Sequence, residues 1–158
     1  MNHGRLFVLI AALLAMVGNA RADETLKFRE IYHAVAIQSQ DVGDVEGHTL
    51  FLVRFSGINT FPDGSTGTGY FTALLDYTRG AGPVLVNYNS VTFGDGSVLW
   101  LKWSGTSTIR HYSGTLTVIG GKGRYEGAKG DGTFTGTRIV ALAAGADAYF
   151  DLVINLKK

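Results

Sequence analysis

Five polar side chains stand in stretches of alternating character where an inward-facing group would meet a bound molecule: Tyr77, Asn87, Asn89, Arg110 and Tyr112. If Phe71, Ala73 and Leu75 share one face of a strand, Tyr77 and Arg79 share it too. By the same alternation Asn87 and Asn89 accompany Leu85, Val91 and Phe93, while Arg110 and Tyr112 accompany Leu116 and Val118. An apolar lining with a few placed hydrogen-bonding groups is the make-up of a small-molecule site. These five are therefore the candidate ligand-binding residues. An arginine turned inward must be paired or reach a mouth, because burying its charge alone is prohibitive. Asp76 and Asp151 are available acids, but parity puts both on other faces. The competing reading leaves the tyrosine hydroxyls at a rim and the arginines in water.

Other chemistries lack their residues. Gly121-Lys122-Gly123 is followed by no helix or βαβ pattern, so it is no dinucleotide fingerprint. Ala128 separates Gly127 from Lys129, and Gly130 stands where a phosphate loop needs Ser or Thr. Outside the first 22 residues the histidines are His33, His48 and His111, scattered over three candidate strands rather than grouped for a metal. Gly-x-Ser-x-Gly is absent and the chain has no cysteine, so nucleophilic hydrolysis has no foothold. No cofactor or metal is expected, and no catalytic residue is assigned.

Residues 1–22 read as a cleavable secretory leader: Arg5, an apolar run from Leu6 to Val17, then Ala20-Arg21-Ala22, with cleavage expected between Ala22 and Asp23. The run is too short for a spanning helix, which needs about 20 apolar residues. Periplasmic or extracellular residence follows as the expectation. Arg5 and Arg21 leave with the leader, so twelve basic side chains face thirteen acids in residues 23–158. No basic cluster remains to engage nucleic acid. Without disulfides, packing alone must hold a domain of this size, which buries about two thirds of its unfolded surface.

The elements that must position the candidates are strands. Period-2 patterning dominates from Asp23 onward and no helical stripe appears. The expected strands are Leu26–Gln38, Thr49–Ile58, Gly69–Arg79, Val84–Phe93, Val98–Ser104, Thr108–Ile119, Gly132–Ala141 and Tyr149–Leu156. Turn signals divide them, among them Pro62-Asp63-Gly64, Gly80-Ala81-Gly82-Pro83 and Gly94-Asp95-Gly96, while Ala143–Asp147 reads as a loose turn. An even-stranded meander without helices hides its edges by closing. The fold class is all-β: one domain forming an eight-stranded antiparallel up-and-down barrel of calycin type. Leu50, Leu52 and Trp100 leave some strands apolar on both faces, which points to a covered outer wall, under the first connection or another subunit. An outer-membrane barrel fits poorly, since no lipid-facing aromatic girdle can be traced.

The glycine density between Gly114 and Thr137 weakens a strand unless the backbone must bend or pack closely, as it must in a small barrel. Within it, Gly120-Gly121-Lys122-Gly123-Arg124-Tyr125-Glu126-Gly127-Ala128-Lys129-Gly130 resembles the signature of the allene oxide cyclase-like and dirigent-like barrels. The resemblance implies an eight-stranded barrel with the signature on a late hairpin, an interior for an apolar or phenolic ligand, and a dimer or trimer. It implies structural roles for Gly120, Gly121, Gly123, Arg124, Tyr125, Gly127 and Gly130, with Tyr125 plugging a barrel end and Arg124 pairing with a carboxylate. It transfers no catalytic residue. Three functions stay open: a carrier of a small apolar or aromatic molecule, a cofactor-independent cyclase or isomerase acting by substrate shaping, and a packed barrel that binds protein. A buried, paired ionisable group in a cavity would favour the enzyme.

Overall fold

The computed structural model describes residues 23–108, 110–141 and 145–157; the expected leader, Met1–Ala22, lies outside them. Eight strands close into one antiparallel barrel in chain order. They are β1 (Glu24–Asp41), β2 (His48–Thr60), β3 (Thr66–Thr78), β4 (Val84–Phe93), β5 (Val98–Ser107), β6 (His111–Lys122), β7 (Lys129–Arg138) and β8 (Ala148–Lys157). The turn signals Pro62-Asp63-Gly64, Gly80-Ala81-Gly82-Pro83 and Gly94-Asp95-Gly96 all fall in connections, and β4 has the expected bounds, while the fifth connection lies at residues 108–110 rather than 105–107.

The other seven strands differ from expectation at one or both ends, and the sixth and seventh matter most for the hairpin between them. The sixth begins at His111 rather than Thr108 and runs on to Lys122, and the seventh starts at Lys129 and ends at Arg138. Glycines 120, 121 and 130 were expected outside the ladder but belong to it, because close packing excludes a side chain there. A Cβ on Gly130 would come within 2.2 Å of the Asn155 carbonyl oxygen. Opposite them, a bulge at Trp100/Leu101 absorbs Ile119 as an extra residue and turns the strand end.

Alternation decides the inside. Phe28, Glu30 and Tyr32 on β1, Val53 and Phe55 on β2, Phe71 and Ala73 on β3, and Leu99, Leu101 and Trp103 on β5 are all buried. Leu116, Val118, Phe134, Phe150, Leu152 and Ile154 complete the core from the last three strands. Packed aromatic rings fill the middle: Phe55 stacks on Phe71 at 4.3 Å, and Trp103 meets Phe134 at 4.7 Å and Phe150 at 5.4 Å. An apolar interior of this kind, with Arg54 and Lys102 exposed on the outer wall, reverses the pattern of a membrane barrel. The covered outer wall expected from the sequence is not seen in the single chain, where Leu50, Leu52, Leu74 and Val84 are exposed.

The two barrel ends differ. At one end the chain between β6 and β7 folds as a 3-10 turn, Gly123–Tyr125, and Tyr125 is fully buried. Its ring packs on Phe93 at 4.8 Å, Phe93 on Phe61 at 5.0 Å, and Phe61 on Phe28 at 5.1 Å, which closes that end. Arg124 lies over the Phe93 ring and pairs with Asp95 at 3.5 Å, while its backbone N–H donates to Ser97 Oγ. Gly123 takes φ +66°, and a Cβ there would meet Ser97 Oγ at 2.7 Å.

Candidate ligand-binding site

The other end is open. A cavity of about 780 Å³ there is lined by Phe51, Leu75, Tyr77, the Gly80–Pro83 turn, Ser107, Thr108 and Arg138. The β2–β3 pair supplies its apolar wall, since Phe51 and Leu75 are direct cross-strand partners. A second hollow, of about 710 Å³, lies outside the aromatic plug and includes Arg124 and Asp95, which already pair with each other.

Of the five expected site residues, one lines the cavity and a second touches a lining residue. Tyr77 lines the cavity. Tyr112 faces inward and half-buried, with its hydroxyl accepting a hydrogen bond from Arg138 Nε at 2.6 Å. Burial pushes the Tyr112 phenol up, and the Arg138 charge opposes that rise. Asn87 is inward and buried, and its Oδ1 has no hydrogen-bond partner among the described residues.

Arg110 departs from the expectation. β6 starts one residue after it, so the alternation that carries Tyr112 inward does not extend to Arg110, whose side chain is exposed in the turn. Arg79, also expected inward, is exposed and pairs with Glu46 at 2.7 Å. The arginine at the mouth is Arg138, which donates its backbone N–H to the Arg110 carbonyl. The sequence carries a signal for it: Phe134, Gly136 and Arg138 share parity on β7.

Asn89 belongs to a deeper group. Its Nδ2 lies 2.9 and 3.0 Å from the two carboxyl oxygens of Glu30, and its Oδ1 accepts from the Tyr32 hydroxyl at 3.2 Å. Glu30 is 0 % exposed. Desolvation pushes its carboxyl up to about 8, while hydrogen bonds from Asn89 and Tyr32 pull the other way. At neutral pH this side chain is therefore mainly a carboxylic acid, able to give a proton or a hydrogen bond. Burial also drives the Tyr32 phenol up, and Glu30 adds to that. Inward glycines make room: a Cβ on Gly69 would fall 2.1 Å from the Tyr32 hydroxyl.

Glu30 is connected to the mouth through rings. Phe150 contacts Tyr112 at 5.3 Å and Tyr32 at 6.4 Å, and Tyr32 stands edge-on to Phe71 at 4.6 Å. The sequence reading missed the acid, although Phe28-Arg29-Glu30-Ile31-Tyr32 carries its signal: a glutamate two residues from an aromatic on each side, sharing their face. Among the described residues no group of acids and histidines is placed to hold a metal ion.

No protein-family model matches the sequence, and no curated protein matches it. Solved structures do resemble the barrel. A nonspecific heme-binding cyclase of neoabyssomicin biosynthesis aligns with 17 % identity and a TM-score of 0.52, over 100 % of this chain and 84 % of that one. A pterocarpan synthase dirigent protein aligns at 16 % identity and TM-score 0.49, over 87 % and 96 %. A pyocyanin demethylase aligns at 18 % and 0.47, over 82 % and 99 %. The first likeness extends over both chains and is one of fold: this chain shares the barrel architecture of that cyclase.

Proposed function

We propose that this protein binds a small apolar or aromatic molecule in the open end of its barrel. The observation that carries the reading is the asymmetry of the barrel. One end is closed by four packed rings, while the other keeps a cavity of about 780 Å³ with an apolar wall and Tyr77, Ser107, Thr108 and Arg138 as its polar groups. Volumes of about 300–1,000 Å³ with few polar groups suit drug-sized ligands. The leader-like residues 1–22 support an exported protein, in the periplasm or outside the cell. The apolar outer row of Leu50, Leu52, Leu74 and Val84 supports association of barrels as dimers or trimers.

The test is a fluorescence titration with N-phenyl-1-naphthylamine, an uncharged aromatic probe. Saturable binding of one probe per barrel is expected, and Leu75→Trp, which adds bulk to the apolar wall, weakens it while the melting temperature holds. Absence of saturable binding, or binding indifferent to Leu75→Trp, contradicts the site.

Glu30 favours a second reading, a cofactor-independent cyclase or isomerase. A neutral acid in an apolar interior can hydrogen-bond or protonate an oxygen where negative charge develops. The aromatic walls would hold a flexible substrate near its reactive shape. A substrate entering at the mouth reaches Glu30 only if Phe150 and Tyr32 move, so ring displacement is a condition of turnover. Glu30→Gln would then keep binding and lose turnover.

A further inference from the structure

The cavity wall holds more hydrogen-bond donors than the protein itself uses. Ser107 is 6 % exposed, lines the cavity, and its hydroxyl has no partner among the described residues. A buried hydroxyl without a partner is unfavourable, so a bound acceptor would be welcome there. Tyr112, its direct cross-strand partner, accepts from Arg138 Nε and so has its own phenolic proton to give. Arg138 spends Nε on that bond, which leaves the two terminal nitrogens of the guanidinium. Among the described residues no carboxylate pairs with Arg138.

Nearby acids are engaged elsewhere. At this end of the barrel His48 bridges Asp44 and Asp76, Arg79 holds Glu46, and His33 holds Asp147. A cation on a cavity wall that also carries the Ser107 hydroxyl, bonded through Nε to the adjoining Tyr112 hydroxyl and paired with no acid among the described residues, is complementary to an anion.

We propose that the molecule bound in this cavity carries a carboxylate, held by the Arg138 terminal nitrogens with hydrogen bonds from Ser107 and Tyr112, while its apolar body lies against Phe51, Leu75 and Tyr77. The inference rests on the ligand-binding reading and sharpens it from an apolar molecule to an apolar acid. Arg138 and Ser107 are then specificity-determining residues, because an uncharged analogue leaves their donors unpaired.

The experiment is calorimetric titration of the full barrel with 2-naphthoate and with uncharged 2-naphthamide, alongside the N-phenyl-1-naphthylamine titration. Wild type is expected to bind naphthoate about tenfold or more tightly than the amide, the scale of a charged hydrogen bond. Raising the salt concentration should narrow that gap. Arg138→Gln should erase it, Arg138→Lys should restore part of it, and Ser107→Ala should weaken naphthoate about fivefold. Melting temperatures identify any variant that fails to fold, and the salt series in wild type then still decides. Equal affinities in wild type, or a gap that persists in Arg138→Gln, overturn the carboxylate assignment while probe binding keeps the site. Failure of all three probes overturns the site and the assignment together.

Discussion

At the scale of single residues, Glu30 sets the most distinctive behaviour. Burial raises its carboxyl from 4.5 to about 8, so between those values the folded chain holds a proton that the unfolded chain has released. Stability from this group is greatest below pH 4.5 and is lost as the pH rises through about 8. Glu30→Gln keeps the shape and the Asn89 contact without the ionisation. It should flatten the decline in melting temperature across that interval and melt above wild type at alkaline pH. Identical pH profiles for the two proteins contradict a buried, protonating Glu30. The same residue marks where reading one sequence stops. Alternation put Tyr77, Asn87, Asn89 and Tyr112 on the inner wall; Asn87 and Asn89 are buried there, Tyr112 is half-buried, and Tyr77 is exposed at the mouth. It could not reveal that Asn89 serves Glu30, since their bond joins β4 to β1 across the barrel interior. Arg110 failed for a local reason: its strand starts one residue later, and parity carries no information beyond a strand end.

At the scale of elements, the glycine hairpin explains itself through what a side chain would displace. Gly121 leaves the space into which Tyr125 folds back, since a Cβ there would lie 2.7 Å from the Tyr125 Cβ. Gly123→Val brings two penalties, a β-branched residue at φ +66° and a clash with Ser97. A loss of about 2–3 kcal/mol is expected in chemical denaturation. Gly69→Ala, on a different strand, drives a methyl into the Tyr32 hydroxyl and should cost about 1–3 kcal/mol. If either substitution leaves the denaturation midpoint unchanged, the crowding described for that element is wrong. Turn residues made the hairpins legible in advance. The bulge at Trp100/Leu101 was not, because a one-residue slip shows only once the facing strand is in place.

At the scale of the whole molecule, the barrel divides its interior into three levels. The plug of Phe28, Phe61, Phe93 and Tyr125 seals one end, an aromatic middle encloses Glu30, and the mouth with Arg138, Ser107 and Tyr112 stays open. Closure and strand number were legible because turns and alternation are local signals. The open mouth was not, because cavity space is what remains after side chains from opposite strands have met. The central claim is that this space is occupied in life. Native mass spectrometry of the chain, purified without organic solvent from the organism that encodes it, tests that most directly and gives the number of chains in the assembly as well. A mass excess of one small molecule per barrel is expected, lost on denaturation and reduced in Leu75→Trp. A wild-type mass equal to the bare polypeptide before and after denaturation contradicts the account.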